Sequence, residues 1–144
     1  MTVGDLIESR TVVYSIVQDL TVHEAARYLR EKQIRSVGVC DRNGKLVGVV
    51  SQSDISDKVA AENKCSAWMR VSEIMTSVVI AVPPETRLDE CVRLMEKNGF
   101  YHLPVTNKLG QYRGMISVKD LLTVIASDEK ARADMLEAFI FPQR

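Results

Sequence analysis

The chain has 144 residues, 46% of them apolar and 26% charged, and its 19 basic and 19 acidic side chains cancel to a formal net charge of zero. That is the balance of a globular chain, without the positive charge that broad binding to a nucleic-acid backbone requires. No apolar run approaches the roughly 20 residues that span a bilayer. The first residues, Met1 to Leu6, carry no basic segment followed by an apolar one, so a cytoplasmic protein is expected. Cys40, Cys65 and Cys91 form neither a C-x-x-C pair nor a Cys/His cluster, which argues against metal and redox chemistry.

In chain order, Val3, Leu6 and Ile7 predict a short amphipathic helix, and Val71, Ile74 and Met75 repeat it 68 positions on. Residues 12–17 read as a strand from their β-branched content, and residues 78–82 are the counterpart, closed by Pro83-Pro84. Thr21-Val22-His23-Glu24 opens a helix with a capping box. Val22, Ala25, Ala26 and Leu29 then fall on one face, as do Leu88, Cys91, Val92 and Met95. Residues 37–40 and 46–50 predict a hairpin turned at Asp41-Arg42-Asn43-Gly44, and residues 103–105 and 112–116 repeat it around Gly110. A helix follows each hairpin, with Ile55 and Val59 matched by Leu121 and Ile125.

Two copies of one motif organise this pattern. Gly48-Val49-Val50-Ser51-Gln52-Ser53-Asp54 returns 66 positions later as Gly114-Met115-Ile116-Ser117-Val118-Lys119-Asp120. Each copy ends a strand and places a serine and an aspartate at the first turn of a helix, a natural anion site. Ser-x-x-Asp there also reads as a capping box. A cap has no need of the preceding glycine, whereas a small molecule approaching the backbone has, so Gly48 and Gly114 favour a ligand.

The predicted fold class is therefore α/β, with mixed sheets and two β-α-β-β-α repeats. The first repeat covers residues 1–62, a linker 63–70, the second repeat 71–127, and a helical tail 128–144. Halves this small are marginal alone and are expected to pack on each other. Trp68 and Met69 in the linker are expected to lie on a groove rather than in water. In the tail, Ala131, Met135, Leu136, Phe139 and Ile140 form an apolar stripe that predicts burial against a second subunit, in a homodimer.

The doubled Gly-to-Asp motif, together with Tyr101-His102-Leu103-Pro104-Val105 before the second hairpin, resembles a pair of CBS domains, the regulatory module named after cystathionine β-synthase, over roughly residues 3–127. The resemblance implies two repeats packed sheet to sheet about a pseudo-two-fold axis, adenine nucleotides in the clefts between them, and dimerisation. It implies that Asp54 and Asp120 accept the ribose hydroxyls, a role suited to an acceptor-only carboxylate, with Ser51 and Ser117 near ribose or phosphate. Ser15-Ile16 and Ala81-Val82 would offer backbone to the adenine edge, Val37 and Leu103 would wall the base, and Arg35 and His102, beside Tyr101, would turn cations toward phosphate. Lys119, opposite Ser53, adds a positive group to the second site. The first repeat departs from the pattern in reading Arg35-Ser36-Val37-Gly38-Val39 and in having Gln18 where the second has Pro84, so the two sites are not expected to be equivalent.

The function expected is a non-catalytic, nucleotide-sensing regulatory module that binds AMP foremost, with ADP, ATP, NAD(H) and S-adenosylmethionine sharing the ribose diol, and that regulates a partner protein. The alternative is a partner-binding scaffold with vacant clefts. No catalytic residue, metal or required cofactor is expected, because the chain has no nucleophile with a base and no G-x-x-x-x-G-K-[ST] motif.

Overall fold

In the first repeat, Thr21 caps helix α2 (Val22–Lys32), its hydroxyl accepting from the Glu24 amide at 3.1 Å. The helix ends at Gln33, which takes a left-handed conformation, and its buried stripe is Val22, Ala25 and Leu29. In the second repeat α5 (Leu88–Asn98) ends at Gly99 and buries Leu88, Cys91 and Met95. The computed structural model describes residues 1–10, 12–77, 80–125, 133 and 137.

The hairpins repeat to the residue. Strands β2 (Ser36–Cys40) and β3 (Leu46–Ser51) pair antiparallel, as do β5 (His102–Thr106) and β6 (Tyr112–Ser117). Each pair slips register at the same place, after Val39 and after Val105. Before β2, β1 (Ser15–Val17) joins it in parallel; its counterpart is a parallel bridge from Val82 to Val105. The expected strand 12–17 is thus half its predicted length. Pairing begins at Ser15 opposite Gly38, which leaves Val12 and Val13 exposed and, among the described residues, without ladder partners. Of the expected strand 78–82, Val78 and Val79 lie outside the described residues.

Helix α3 (Gln52–Ile55) follows the first hairpin and continues as a π-helical turn, Ser56–Ala60; α6 (Val118–Ile125) follows the second. No helix among the described residues is long and apolar enough to cross a membrane. Ala133 and Glu137 are helical, while the apolar stripe predicted for the tail, and any dimer contact it makes, lie outside the described residues.

The short helices that precede the repeats are exchanged. Helix α1 (Val3–Glu8) precedes the first repeat, yet Val3 and Ile7 pack in the second core with Met95, Leu103, Ile116 and Leu121. Helix α4 (Val71–Ile74) precedes the second repeat, and Val71 and Ile74 pack in the first core with Leu29, Val37 and Val50. Backbone bonds fasten both in the same way. Val3 and Gly4 amides donate to Thr86 and Pro84 carbonyls, and Val71 and Ser72 amides donate to Leu20 and Gln18 carbonyls. Gln18 and Pro84 therefore do one job through a carbonyl that both possess. After α4 the chain adds β4 (Thr76–Ser77) to the edge of β3, completing a sheet of order β1-β2-β3-β4.

The linker is committed to α2. Its Met69 and Ser66 carbonyls accept from the Val22 and His23 amides at 2.8 and 3.1 Å, satisfying donors that a helix start leaves open. Met69 turns inward onto the first core, as expected. Trp68 does the opposite: it is 85% exposed, because the backbone that caps the helix points its side chain outward.

Candidate functional site

Strand pleat separates core from cleft. Along β2, Val37 and Val39 face the first core; along β5, Leu103 and Val105 face the second. The alternate residues Ser36, His102 and Pro104 face the space between the two halves, as do Val49 on β3 and Met115 on β6. Gly38 is on this side too: a Cβ there would lie 2.5 Å from the ring of Tyr112, which fills the gap between the sheets. That contact explains why the first repeat carries glycine where the second carries Pro104, and burial pushes the Tyr112 phenol pKa up.

Two clefts open in this space. One, of about 500 Å³, contains Ser51 and Asp54, and the other, of about 650 Å³, contains Ser117, Lys119 and Asp120. Arg35, Ser36, Tyr101, His102 and Met115 line both. Each is built from both halves of the chain. Thr76, Ser77 and Ile80, from the start of the second repeat, wall the Asp54 cleft; Arg10, Val12, Val13 and Tyr14, from the start of the first, wall the Asp120 cleft.

Both motifs form capping boxes, as the spacing predicts. Ser51 N donates to Asp54 Oδ2 at 2.9 Å and Asp54 N to Ser51 Oγ at 3.2 Å; the bonds from Ser117 N to Asp120 Oδ2 and from Asp120 N to Ser117 Oγ are 2.8 and 3.1 Å. The aspartates then differ. Asp54, 11% exposed, also accepts from Thr76 Oγ1 at 3.3 Å and pairs with Lys58 Nζ at 3.0 Å. Asp120, 33% exposed, pairs with Arg10 Nη2 at 2.7 Å, and Arg10 Nη1 donates to the Met115 carbonyl.

The motif glycines answer to packing. A Cβ on Gly114 would lie 2.6 Å from Ile7 Cδ1, and one on Gly48 would lie 2.6 Å from Met75 Sδ and 3.0 Å from the Thr76 carbonyl. The expectation that a ligand requires these glycines is therefore corrected: the exchanged segments require them.

Of the residues singled out in the sequence, Arg35, Ser51, Asp54, Tyr101, His102, Ser117, Lys119 and Asp120 meet in the clefts. Ile16, Val37, Val82 and Leu103 are buried in the cores and line neither; Ser15 lines a separate cavity beside Tyr28 and Cys40, and Ala81 lines neither cleft. The physical reason is parity: Val37 follows Ser36 and Leu103 follows His102, so each falls on the opposite face of its strand. Sequence reading missed Arg10, Ser36 and Thr76. Alternation along β2 could have found Ser36; nothing local marks Arg10, which is 110 residues from its partner.

Burial lowers the His102 pKa below its usual value, with Asp120 opposing the shift and Arg35 reinforcing it, so the imidazole is largely neutral at pH 7. Among the described residues Ser36 Oγ, buried between the clefts, has no hydrogen-bond partner. Among the described residues no group of three or more His, Cys, Asp or Glu converges to hold a metal ion.

The family model for the CBS domain matches residues 3–61 and 71–127. The chain is 32% identical over 111 residues to a 17.7 kDa protein of Acidianus ambivalens, covering 77% of this chain and 66% of that one. It is 32% identical over 108 residues to inosine-5'-monophosphate dehydrogenase of Nitrosopumilus maritimus, covering 75% of this chain and 21% of the enzyme. The chain thus spans about two thirds of the first relative and about a fifth of the second. Among solved structures, the CBS-domain protein ATU1752 from Agrobacterium tumefaciens superposes with a TM-score of 0.76 at 28% identity, over 86% of this chain and 98% of that one. CBSX2 in complex with AMP superposes with a TM-score of 0.74 at 26% identity, over 89% and 98%. The CBS pair of MJ0100, in complex with 5'-methylthioadenosine and S-adenosyl-L-methionine, superposes with a TM-score of 0.77 at 25% identity, over 88% and 97%. Two family matches in tandem, the same mixed α/β architecture and a motif aspartate at each of two clefts establish that the chain belongs to the CBS-domain family, as a paired, regulatory and non-catalytic module.

Proposed function

We propose that the chain senses adenine nucleotides, with the ribose of one ligand held by Asp54 and that of another by Asp120. The observation that carries this reading is the doubled capping box, which holds a carboxylate at the floor of each cleft with cations at the rim. A carboxylate is acceptor-only, and its lone pairs beyond the capping bonds suit ribose hydroxyls. Ser51 and Ser117 stand beside it, and Arg35 and Lys119, which line the clefts, would meet phosphate. Ser36 Oγ, buried between the clefts and unmatched among the described residues, is a further donor for a ligand oxygen. AMP is the first ligand to try, followed by ADP, ATP, NAD(H) and S-adenosylmethionine. The AMP, 5'-methylthioadenosine and S-adenosyl-L-methionine held by two relatives support an adenosyl ligand and leave its tail open. The apolar stripe in the sequence of the tail supports a homodimer that transmits ligand binding to a regulated protein; light scattering on a chain ending at Ser127 tests it, and full dimerisation of that chain would remove the tail from the interface.

Calorimetry on Asp54→Ala, Asp120→Ala and the double variant tests the ribose assignment. Hydrogen bonds to a charged group contribute about 1.5 to 3 kcal/mol, so each single change is expected to weaken AMP at its own cleft by roughly ten- to a hundredfold. Wild-type affinity in a folded double variant overturns it.

A further inference from the structure

The Asp120 cleft has a guanidinium beside its carboxylate, and among the described residues the Asp54 cleft has none. Arg10 Nη2 lies 2.7 Å from Asp120 Oδ2, with the two side chains 27% and 33% exposed. At the matching position beside Asp54 stands Thr76, an uncharged hydroxyl. The cation that balances Asp54 is Lys58, and it is turned away: its ammonium bonds the Ile74 carbonyl at 2.8 Å as well as Asp54, and it does not line the cleft. Charge along the two walls therefore differs. Among the described residues, Arg10, Arg35 and Lys119 line the cleft that holds Asp120, whereas Arg35 alone of the lysines and arginines lines the cleft holding Asp54. His102 borders both and, being largely neutral, does not separate them.

The guanidinium has capacity beyond its present bonds. It carries five N–H donors in a fixed fork, and its bonds to Asp120 and to the Met115 carbonyl come from Nη2 and Nη1. Arg10 and the Ser117 amide both meet Oδ2 of Asp120. A ribose hydroxyl would reach Oδ1 of the same carboxylate, so ribose and guanidinium need not compete for one atom. A half-buried unit charge about a ribose's width from a phosphate still favours the anion, because screening there is weaker than in water.

We propose that Arg10 is the charge selector of the Asp120 cleft, making it take a phosphorylated adenosine in preference to an uncharged nucleoside. The proposal rests on the ribose assignment above and adds a residue and a ligand class to it. Arg10 stays on Asp120 in the free chain, holding the carboxylate in place for the diol, and presents its remaining donors to the phosphate of an incoming nucleotide. Adenosine gains nothing from those donors.

The test compares AMP with adenosine by calorimetry in an Asp54→Ala background, where the other cleft is weakened by roughly ten- to a hundredfold. AMP is expected to bind at least about tenfold more tightly than adenosine. Arg10→Gln is expected to reduce that ratio to about threefold or less, chiefly by weakening AMP, and Arg10→Lys, which keeps the charge without the fork, to give an intermediate ratio. An unchanged ratio in folded Arg10→Gln overturns the proposal. Adenosine and AMP that both fail to bind the wild-type chain overturn the ribose assignment itself, and the selector with it. If Arg10→Gln does not fold, the guanidinium resonance of Arg10 in the wild-type chain decides: the Nε–H signal is expected to shift markedly further with AMP than with adenosine, and equal shifts, or none, with both ligands overturn the proposal.

Discussion

Ile7 Cδ1 occupies the space that a side chain on Gly114 would need, 2.6 Å from where its Cβ would stand. This contact locks α1, which begins the chain, onto the last strand of the second repeat. Gly114 also has φ of +148°, a region that residues with a Cβ avoid. Gly114→Ala should therefore destabilise the chain by about 1 to 3 kcal/mol through overpacking, with backbone strain added. Ile7→Val removes the clashing methyl, so the double variant should lose less than the sum of the two single losses. Urea denaturation of all four proteins measures this; additive losses would mean that the glycine is needed for its backbone alone.

Asp54 and Asp120 occupy equivalent positions with unequal partners, and their stability costs should differ accordingly. Removing either carboxylate takes the acceptor from the Ser51 or Ser117 amide, a hydrogen bond to a charged group worth about 1.5 to 3 kcal/mol, and leaves the serine cap itself in place. Asp54→Ala additionally strips Lys58 and the Thr76 hydroxyl of a partner at a site only 11% exposed, whereas Asp120 sits at 33%. Thermal unfolding without ligand should place Asp54→Ala below Asp120→Ala. The reverse order would mean that the Arg10 pair contributes more than its exposure suggests.

His102 should make the fold sensitive to mild acid. Its pKa in the folded chain is lowered, chiefly by burial, below the 6.5 of the unfolded side chain. Between these two values the unfolded chain binds more protons, so stability falls as pH drops through 6.5 and levels off below the folded pKa. Above pH 7 the group contributes no slope. His102→Gln should flatten the wild-type curve between pH 7 and the folded value; parallel curves for the two proteins would show that the imidazole titrates alike folded and unfolded.

Trp68 is the one tryptophan of the chain and is 85% exposed. In the free protein its fluorescence should be quenched by acrylamide nearly as efficiently as that of a free indole, and unfolding should shift its emission little. A blue-shifted, protected signal at micromolar concentration would show that another surface covers it in solution.

The amino-acid sequence by itself determined the repeat, the class of fold and the polar chemistry of the clefts. A 66-residue shift superimposes strand on strand and cap on cap, because hairpin turns, helix caps and apolar periodicity are all set by residues a few positions apart. Asp54, Asp120 and their serines were legible for the same reason, since a capping box is a local structure. Only the tertiary structure decided which neighbours those residues have. Arg10 reaches Asp120 across 110 positions, and α1 and α4 cross to the opposite cores, because the apolar face of so short a helix can be buried on either half and its own sequence does not choose between them. Strand parity decided the rest: with side chains alternating between faces, Ser36 and His102 point into the clefts while Val37 and Leu103, one residue on, belong to the cores.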